Sequence, residues 1–176
     1  MVTDYYTSVL PSAISALGTT AGGSSVAQAS ATAAVLGGLR LGILCDTSDF
    51  WQSPTHFDPL LPALLTVLPS QPELAIPCLS ELAAAAQSEE HSKAINTGVL
   101  TLMRDERAEA RLAAVQALMG LYGRLGEDWL GLLPESVPYI AELLEDDDET
   151  VERECQRLIK RVEEYLGEGE LQGMLT

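Results

Sequence analysis

The sequence predicts an all-α fold in which helices stack in pairs, as in an α-solenoid. Apolar residues make up 47% of the chain but aromatic residues only 5%, so the apolar weight falls on Leu, Ala, Val and Ile. Leu and Ala lose little conformational freedom in a helix, and such a composition favours helices over strands. No segment shows the period-two alternation of a strand. Helical periodicity and a recurring Asp/Arg pattern support the same fold class.

The segment 149–166 shows the helical period most clearly. Its apolar residues recur at intervals of three and four along one face: Val151, Cys155, Leu158, Ile159, Val162 and Leu166. The basic residues lie off that stripe: Arg153, Arg157, Lys160 and Arg161. We expect Glu149 to pair with Arg153 and Lys160 with Glu164, each pair stabilising the helix by about 0.2–0.5 kcal/mol.

The same reasoning places helices along the whole chain. They are expected at 4–17, 26–45, 57–68, 73–87, 91–103, 107–125, 130–145 and 149–166. The helix at 107–125 carries two apolar stripes, which predicts that it is packed on both sides. A Gly/Ser-rich stretch at 18–30 is expected to be a loop.

An Asp/Arg pattern recurs along the chain. Asp105 and Arg111 are six residues apart, as are Asp147 and Arg153, and the two pairs are offset by 42 residues. Each Asp is expected to cap the N-terminus of a helix, with its Arg two turns further on. We therefore predict a charge ladder between neighbouring repeats. A kinked first helix, a short turn and then Asp and Arg opening a second helix is the HEAT arrangement.

These observations predict one HEAT-type domain over 1–176, about three helix pairs preceded by one or two less regular helices. Its expected parts are irregular helices at 1–56, helix pairs at 57–87, 91–125 and 130–166, and a C-terminal tail at 167–176. An irregular helical bundle is the alternative.

One stretch resembles a known family. The segment LLPESVPYIAELLEDDDETVERECQRLIKRVEEYLG at 132–167 is similar to the extreme C-terminus of the U3 small nucleolar RNA-associated protein 10 family. These are large HEAT-repeat subunits of the t-UTP (UtpA) subcomplex of the small-subunit processome. MRDERAEARLAAVQAL at 103–118 matches the family's penultimate repeat in pattern. The resemblance is good over about 57–170 and weak over 1–56, where the Gly/Ser/Ala-rich stretch carries no family signal.

The resemblance implies a nucleolar, non-enzymatic scaffold acting early on pre-ribosomal RNA, in 18S rRNA maturation, with a link to RNA polymerase I transcription. The implied partners are other t-UTP/UtpA and processome proteins. U3 snoRNA and pre-rRNA association is expected through the whole complex. The family supplies no catalytic, cofactor-binding or metal-binding residues to carry over, so none is predicted.

The charge of the chain disfavours direct nucleic-acid binding. With 26 acidic and 10 basic residues the formal net charge is −16, whereas phosphate binding requires a basic face. A basic partner protein suits this charge better. The acidic run at 145–149 is expected to be a solvated turn that favours the following helix N-terminus, or else a docking point for a basic tail.

Other candidate chemistry is weak. His56 and His91 lack metal-ligand spacing, and the three cysteines, Cys45, Cys78 and Cys155, form no zinc or disulfide framework. Gly18–Ser25 lacks the lysine of a phosphate-binding loop. Trp51 and Trp129 are candidate interface anchors, with core packing the simpler interpretation. No uninterrupted run of 18 apolar residues or signal peptide is found, so we expect no membrane span. We also expect no small-molecule substrate.

Two other functions remain open at this point. A generic HEAT adaptor of transport, trafficking or phosphatase assemblies would share the same physical features, and only the 132–167 motif distinguishes it. A direct pre-rRNA-binding module is the second alternative. An enzyme would require a pocket with convergent titratable groups.

Overall fold

A computed structural model describes residues 2–20, 26–46 and 49–175 of the chain. Within these residues all regular structure is helical and no strand is present, which confirms the predicted all-α, solenoid-like class. The α-helices are α1 Val2–Thr20, α2 Val26–Leu44, α3 Pro54–Val67, α4 Pro72–Ala86, α5 Glu89–Leu102, α6 Ala108–Leu125, α7 Leu133–Leu143, α8 Glu149–Leu166 and α9 Glu170–Met174. Short 3₁₀ helices occupy Phe50–Gln52 and Gly126–Leu132.

The chain divides into two compact units, Met1–Ser92 and Lys93–Thr176. In the first unit α1 packs against α3 and α2 packs against α4, so two helix pairs lie side by side. The side-chain amide of Gln71, just before α4, donates a hydrogen bond to the carbonyl of Ala29 in α2 at 3.1 Å. The core of this unit includes fully buried Leu17, Trp51 and Phe57.

The N-terminal region is more regular than expected. Helices α1 and α2 are 19 residues each, and they contact each other as a pair. The helix predicted at 26–45 matches α2. The loop predicted at 18–30 is wrong at 18–20 and in its overlap with α2 at 26–30, while 21–25 lie outside the described residues. The Ala-rich start of α2 has high helix propensity, and its packing against α4 adds stabilisation that composition does not reveal.

Helix α2 also departs from the hydropathy expectation. No run of 18 residues is wholly apolar, but an 18-residue window of α2 has a mean hydropathy of 1.3. By length and composition alone, the helix is long and apolar enough to cross a membrane. The helix packs against α1 and α4, and 28% of this 18-residue stretch is buried. A packed helix of a water-soluble protein passes the same test, so this property does not by itself indicate a span.

The second unit repeats the arrangement of the first. Helix α6 packs extensively against α8, and buried polar contacts join α5 to α7. Both apolar stripes predicted for α6 include buried residues, Val115 and Tyr122 on one and Ala114, Leu118 and Leu121 on the other.

The C-terminal elements differ from expectation at their ends. The helix predicted at 130–145 is divided into the 3₁₀ helix Gly126–Leu132 and α7. Helix α8 has the predicted bounds. Part of the predicted tail is helical, because α9 packs against α8 and buries Leu171 completely.

Candidate functional site

Two helix pairs of the second unit are related by an offset of 41 residues. Helices α6 and α8 are both 18 residues long and begin 41 residues apart. Before each helix an aspartate accepts a hydrogen bond from the backbone N–H two residues on: Asp105 from Arg107 and Asp146 from Asp148, both at 2.9 Å. The equivalent aspartates are therefore Asp105 and Asp146.

Arg111 clamps these two pairs together. Its Nε and Nη2 donate to the two carboxylate oxygens of Asp146 at 2.7 and 2.8 Å. Its Nη1 also donates to the carbonyls of Asp105 and Glu106 at 3.0 and 3.1 Å. The Arg111 and Asp146 side chains are 17% and 5% exposed, so the pair is largely shielded from water.

The electrostatics of the clamp agree with its geometry. Hydrogen bonds from Arg111 lower the pKa of the Asp146 carboxyl below its ordinary value of 3.8, although partial burial opposes the shift. The same hydrogen bonds raise the pKa of the Arg111 guanidinium. Both groups are therefore charged at neutral pH, and the bidentate geometry strengthens their hydrogen bonds.

The predicted ladder is correct for Arg111 but wrong for its partners. Asp105 binds Arg107 rather than Arg111 through its carboxylate, and it does not cap α6. Asp147 does not cap α8, because the side chain of Asp148 accepts from the N–H groups of Thr150 and Val151 instead. Three consecutive aspartates at 146–148 make the register ambiguous from spacing alone.

Arg153 is not a second ladder residue. With an offset of 41, the position equivalent to Arg111 is Glu152, and Arg153 corresponds to Leu112. Arg153 is exposed and has no ion-pair partner among the described residues.

A second clasp joins the end of α5 to α7. The Arg104 Nε donates to Glu142 Oε2 at 2.8 Å, and the guanidinium carbon lies 4.0 Å from the centre of the Tyr139 ring. The hydrogen bonds between Arg104 and Glu142 raise the pKa of the Arg104 guanidinium and lower that of the Glu142 carboxyl. Both side chains of the ion pair are about half exposed, so this clasp is expected to stabilise the fold less than the Arg111 clamp.

The Pro-Glu-Ser-Val-Pro stretch at 134–138, within the 132–167 segment, provides a buried polar contact. Ser136 and Asn96 are both completely buried, and the Ser136 hydroxyl lies 3.4 Å from Asn96 Oδ1 and 3.2 Å from the carbonyl of Leu132. The Asn96 amide also lies 3.5 Å from Glu135 Oε2. Because an unpaired buried amide is costly, this contact favours one register of α5 on α7.

The basic side chains of α8 pair differently from expectation. The pairs Glu149–Arg153 and Lys160–Glu164 do not form, and those two predictions are wrong. Arg157 instead binds Glu154 at 2.9 Å, and Arg161 binds Glu164. Spacings of three and four both bring side chains together on a helix, and sequence alone does not choose between them.

The histidines and tryptophans lie apart from this clamp. His56 stacks on Phe50 with ring centres 3.6 Å apart, and His91 stacks on Phe57 at 3.9 Å. No group of three or more His, Cys, Asp or Glu suited to a metal ion occurs among residues 2–20, 26–46 and 49–175. Trp51 and Trp129 are 0% and 1% exposed, so they pack in the core rather than anchor a partner.

The cysteines differ in accessibility. Cys78 and Cys155 are buried, and burial raises the pKa of each thiol to about 12. The Cys155 thiol donates to the carbonyl of Ile140 at 3.4 Å. Cys45 is exposed at the end of α2.

One open groove of about 550 Å³ lies between α1 and α2. Small and apolar residues such as Val9, Ala13, Ala34 and Gly38 line it, with Ser12 as the polar side chain. Among the described residues that line it, none is a titratable side chain of the kind that acid–base or nucleophilic chemistry uses.

Comparison with known proteins identifies the relatives of this chain. A protein of Phaeosphaeria nodorum is 47% identical over 148 residues, which cover 81% of this chain, and one of Chaetomium globosum is 48% identical over 128 residues, covering 70%. A protein of Aspergillus fumigatus is 37% identical over 199 residues and covers the whole chain. All three are named U3 small nucleolar RNA-associated protein 10. This chain is homologous to a segment of the U3 small nucleolar RNA-associated protein 10 family. No protein-family model matches it.

The homology confirms the resemblance drawn from the 132–167 motif. Relatives from A. fumigatus and A. niger match 100% of the chain, so the homology also includes residues 1–56, where the sequence showed only a weak resemblance. The chain spans only about a tenth of the length of the U3 small nucleolar RNA-associated protein 10 relatives, between 7% and 11% for these matches.

Proposed function

We propose that this chain is a non-enzymatic scaffold segment in ribosome biogenesis. In this proposal it is a C-terminal part of a small-subunit processome subunit in the nucleolus. It acts in early processing of the pre-rRNA that yields 18S rRNA, with a link to RNA polymerase I transcription. The observation that supports this most is the 47% identity to a U3 small nucleolar RNA-associated protein 10 over 81% of the chain.

The fold suits a scaffold physically. Stacked helix pairs present rows of exposed side chains on a rigid frame, and such repeats are widely used to bind other proteins. The Arg111 clamp and the buried contact between Asn96 and Ser136 fix neighbouring pairs in one register. A fixed register keeps the exposed residues of α7 and α8 in constant relative positions, which a protein-binding surface requires.

Deleting this segment from the natural gene tests the proposal. We expect 18S rRNA to fall relative to the large-subunit rRNA and its precursors to accumulate, both measured by northern blotting. The matched control carries Arg153→Met in the same segment. Normal 18S rRNA after deletion would contradict a role in small-subunit assembly, and a tagged protein spread through the cytosol would favour a generic adaptor.

The proposed partners are other t-UTP/UtpA and processome proteins. The formal net charge of −16 opposes attraction to phosphates, so we place U3 snoRNA and pre-rRNA contact in the whole complex. The direct RNA-binding alternative predicts that this chain shifts structured RNA at low salt. We expect no shift by the isolated chain under conditions in which the intact complex binds.

A further inference from the structure

The end of the second unit presents acidic groups where the preceding helix pair presents basic ones. The contacts between the two pairs use Arg104 and Arg111 on the α5–α6 side, which bind Glu142 and Asp146 on the α7–α8 side. Moving 41 residues along the chain, the positions of Arg104 and Arg111 are occupied by Glu145 and Glu152. The face of the α5–α6 pair that contacts the next pair is thus basic, whereas the equivalent face of the α7–α8 pair is acidic.

The apolar part of the same face is also replaced. Val115 and Tyr122 of α6 are fully buried and lie one and three turns along the helix from Arg111, and the equivalent residues of α8 are Gln156 and Glu163. A third helix pair of the same kind, with acidic residues at its loop, would meet carboxylates and amides here. Like-charge contacts of that kind are destabilising, so this face does not fit another copy of the repeat.

Part of the face is already in use. Helix α9 lies against α8, buries Leu171 and donates a hydrogen bond from the backbone N–H of Gln172 to Glu163 Oε1 at 3.3 Å. The other part, Glu145, Glu152 and Gln156, we call the end surface. Its three residues are the equivalents, 41 residues on, of Arg104, Arg111 and Val115.

The acids of the end surface are available to a partner. Glu145 is exposed, and its carboxylate has no hydrogen-bond or ion-pair partner among the described residues. Within the described part of the chain, the Glu152 carboxylate accepts only from the neighbouring Gln156 side-chain amide, at 3.0 Å. By contrast, Asp146 nearby is already neutralised by Arg111.

We propose that the end surface binds an arginine- or lysine-rich segment of another protein, with a cationic side chain bound to Glu152. In the α6–α8 contact, Arg111 of α6 binds the carboxylate of Asp146 in the loop before α8. At the end surface the equivalent residue is an acid, so the bound segment carries the cation. This proposal rests on the proposed scaffold function and names the surface and partner chemistry through which it acts.

A labelled Arg-Gly repeat peptide of eight residues tests the proposal by fluorescence anisotropy with the 176-residue chain at physiological salt. The double variant Glu145→Gln/Glu152→Gln should weaken binding about tenfold. The control variant Glu127→Gln/Glu168→Gln removes the same charge from exposed positions elsewhere and should change the affinity less than about twofold. Equal weakening by both variants would show diffuse attraction and overturn the proposal, as would no weakening by either.

A charge-reversal variant provides a second readout. Glu145→Arg/Glu152→Arg recreates the pattern of Arg104 and Arg111, so it should lose the Arg-Gly peptide and gain affinity for an Asp-Gly peptide. Retained binding of the Arg-Gly peptide would contradict the proposal. Failure of the peptide tests leaves the effect of segment deletion on 18S rRNA untouched, and a normal 18S level leaves peptide binding untouched, so the two proposals fail separately.

Discussion

Arg111 joins two helix pairs because its guanidinium reaches two kinds of acceptor at once. One edge binds the carboxylate of Asp146, and the other binds carbonyls of Asp105 and Glu106 that no helical N–H satisfies. A lysine, which has no planar fork, cannot reproduce both contacts. The contribution of this residue therefore depends on geometry as well as charge.

Replacing Arg111 with methionine is expected to lower the free energy of unfolding by about 2–3 kcal/mol. The substitution leaves Asp146 charged, shielded and without its main partner. Arg153→Met is the matched control and should change stability by less than about 0.5 kcal/mol, since that side chain is exposed and unpaired. Urea unfolding followed by circular dichroism measures both. Equal losses from the two variants would contradict the 41-residue register.

The clamp also predicts a pH dependence. Because the pKa of Asp146 is lowered in the folded chain, its ion pair stabilises the fold above the ordinary carboxyl pKa of 3.8 and is lost as pH falls through the lowered value. The stability difference between the natural chain and Asp146→Asn should therefore be full at pH 6 and shrink towards pH 3. Urea unfolding at several pH values checks this. A difference that stays constant down to pH 3 would exclude the ion pair as its cause.

The thiols should differ sharply in reactivity. Burial raises the pKa of Cys78 and Cys155 to about 12, so neither forms the reactive thiolate near neutral pH, whereas Cys45 is exposed. We expect one thiol to react with Ellman's reagent in the native chain at pH 8 and three after denaturation. The variant Cys45→Ser should abolish the native reaction. Rapid reaction of two or three native thiols would show that α4 or α8 is not packed as described.

Helix α8 was predictable from the sequence, whereas the pairing at its start was not. Its stripe of Val151, Cys155 and Val162 is buried as the helical period predicts, because that period fixes which residues share a face. The choice among Asp146, Asp147 and Asp148 depends on the geometry of one turn, which residue spacing does not specify. Packing of α2 against α4 likewise stabilises helix at 26–30, where the composition suggests a loop.

Gly126 ends α6 in a conformation that an L-residue rarely adopts. Its φ is +58°, and a Cβ there would lie 3.4 Å from the Tyr165 ring of α8. Gly126→Ala should therefore lower the free energy of unfolding by about 1–3 kcal/mol. Gly131→Ala is the control, because a Cβ there meets open space, and its effect should be within about 0.5 kcal/mol. Thermal unfolding compares the two, and equal effects would refute the strained turn.

At the scale of the whole molecule, the acidic net charge and the homology both favour the proposed role as a protein-binding scaffold. A net charge of −16 favours solubility and basic partners over phosphates. The motif at 132–167 indicated the family from the sequence. Two of its parts, Ser136 and the acidic turn at Asp146, contribute to contacts between helix pairs. The end surface could not be predicted in this way, because it depends on the 41-residue register that only the folded turns reveal.

Purification of the tagged natural protein tests most directly whether this chain belongs to a scaffold of the U3-containing particle, as we propose. We predict that U3 snoRNA is recovered with the protein far above a spliceosomal RNA control, and that deleting this segment lowers the recovery. U3 snoRNA at the control level with the intact protein would contradict the account.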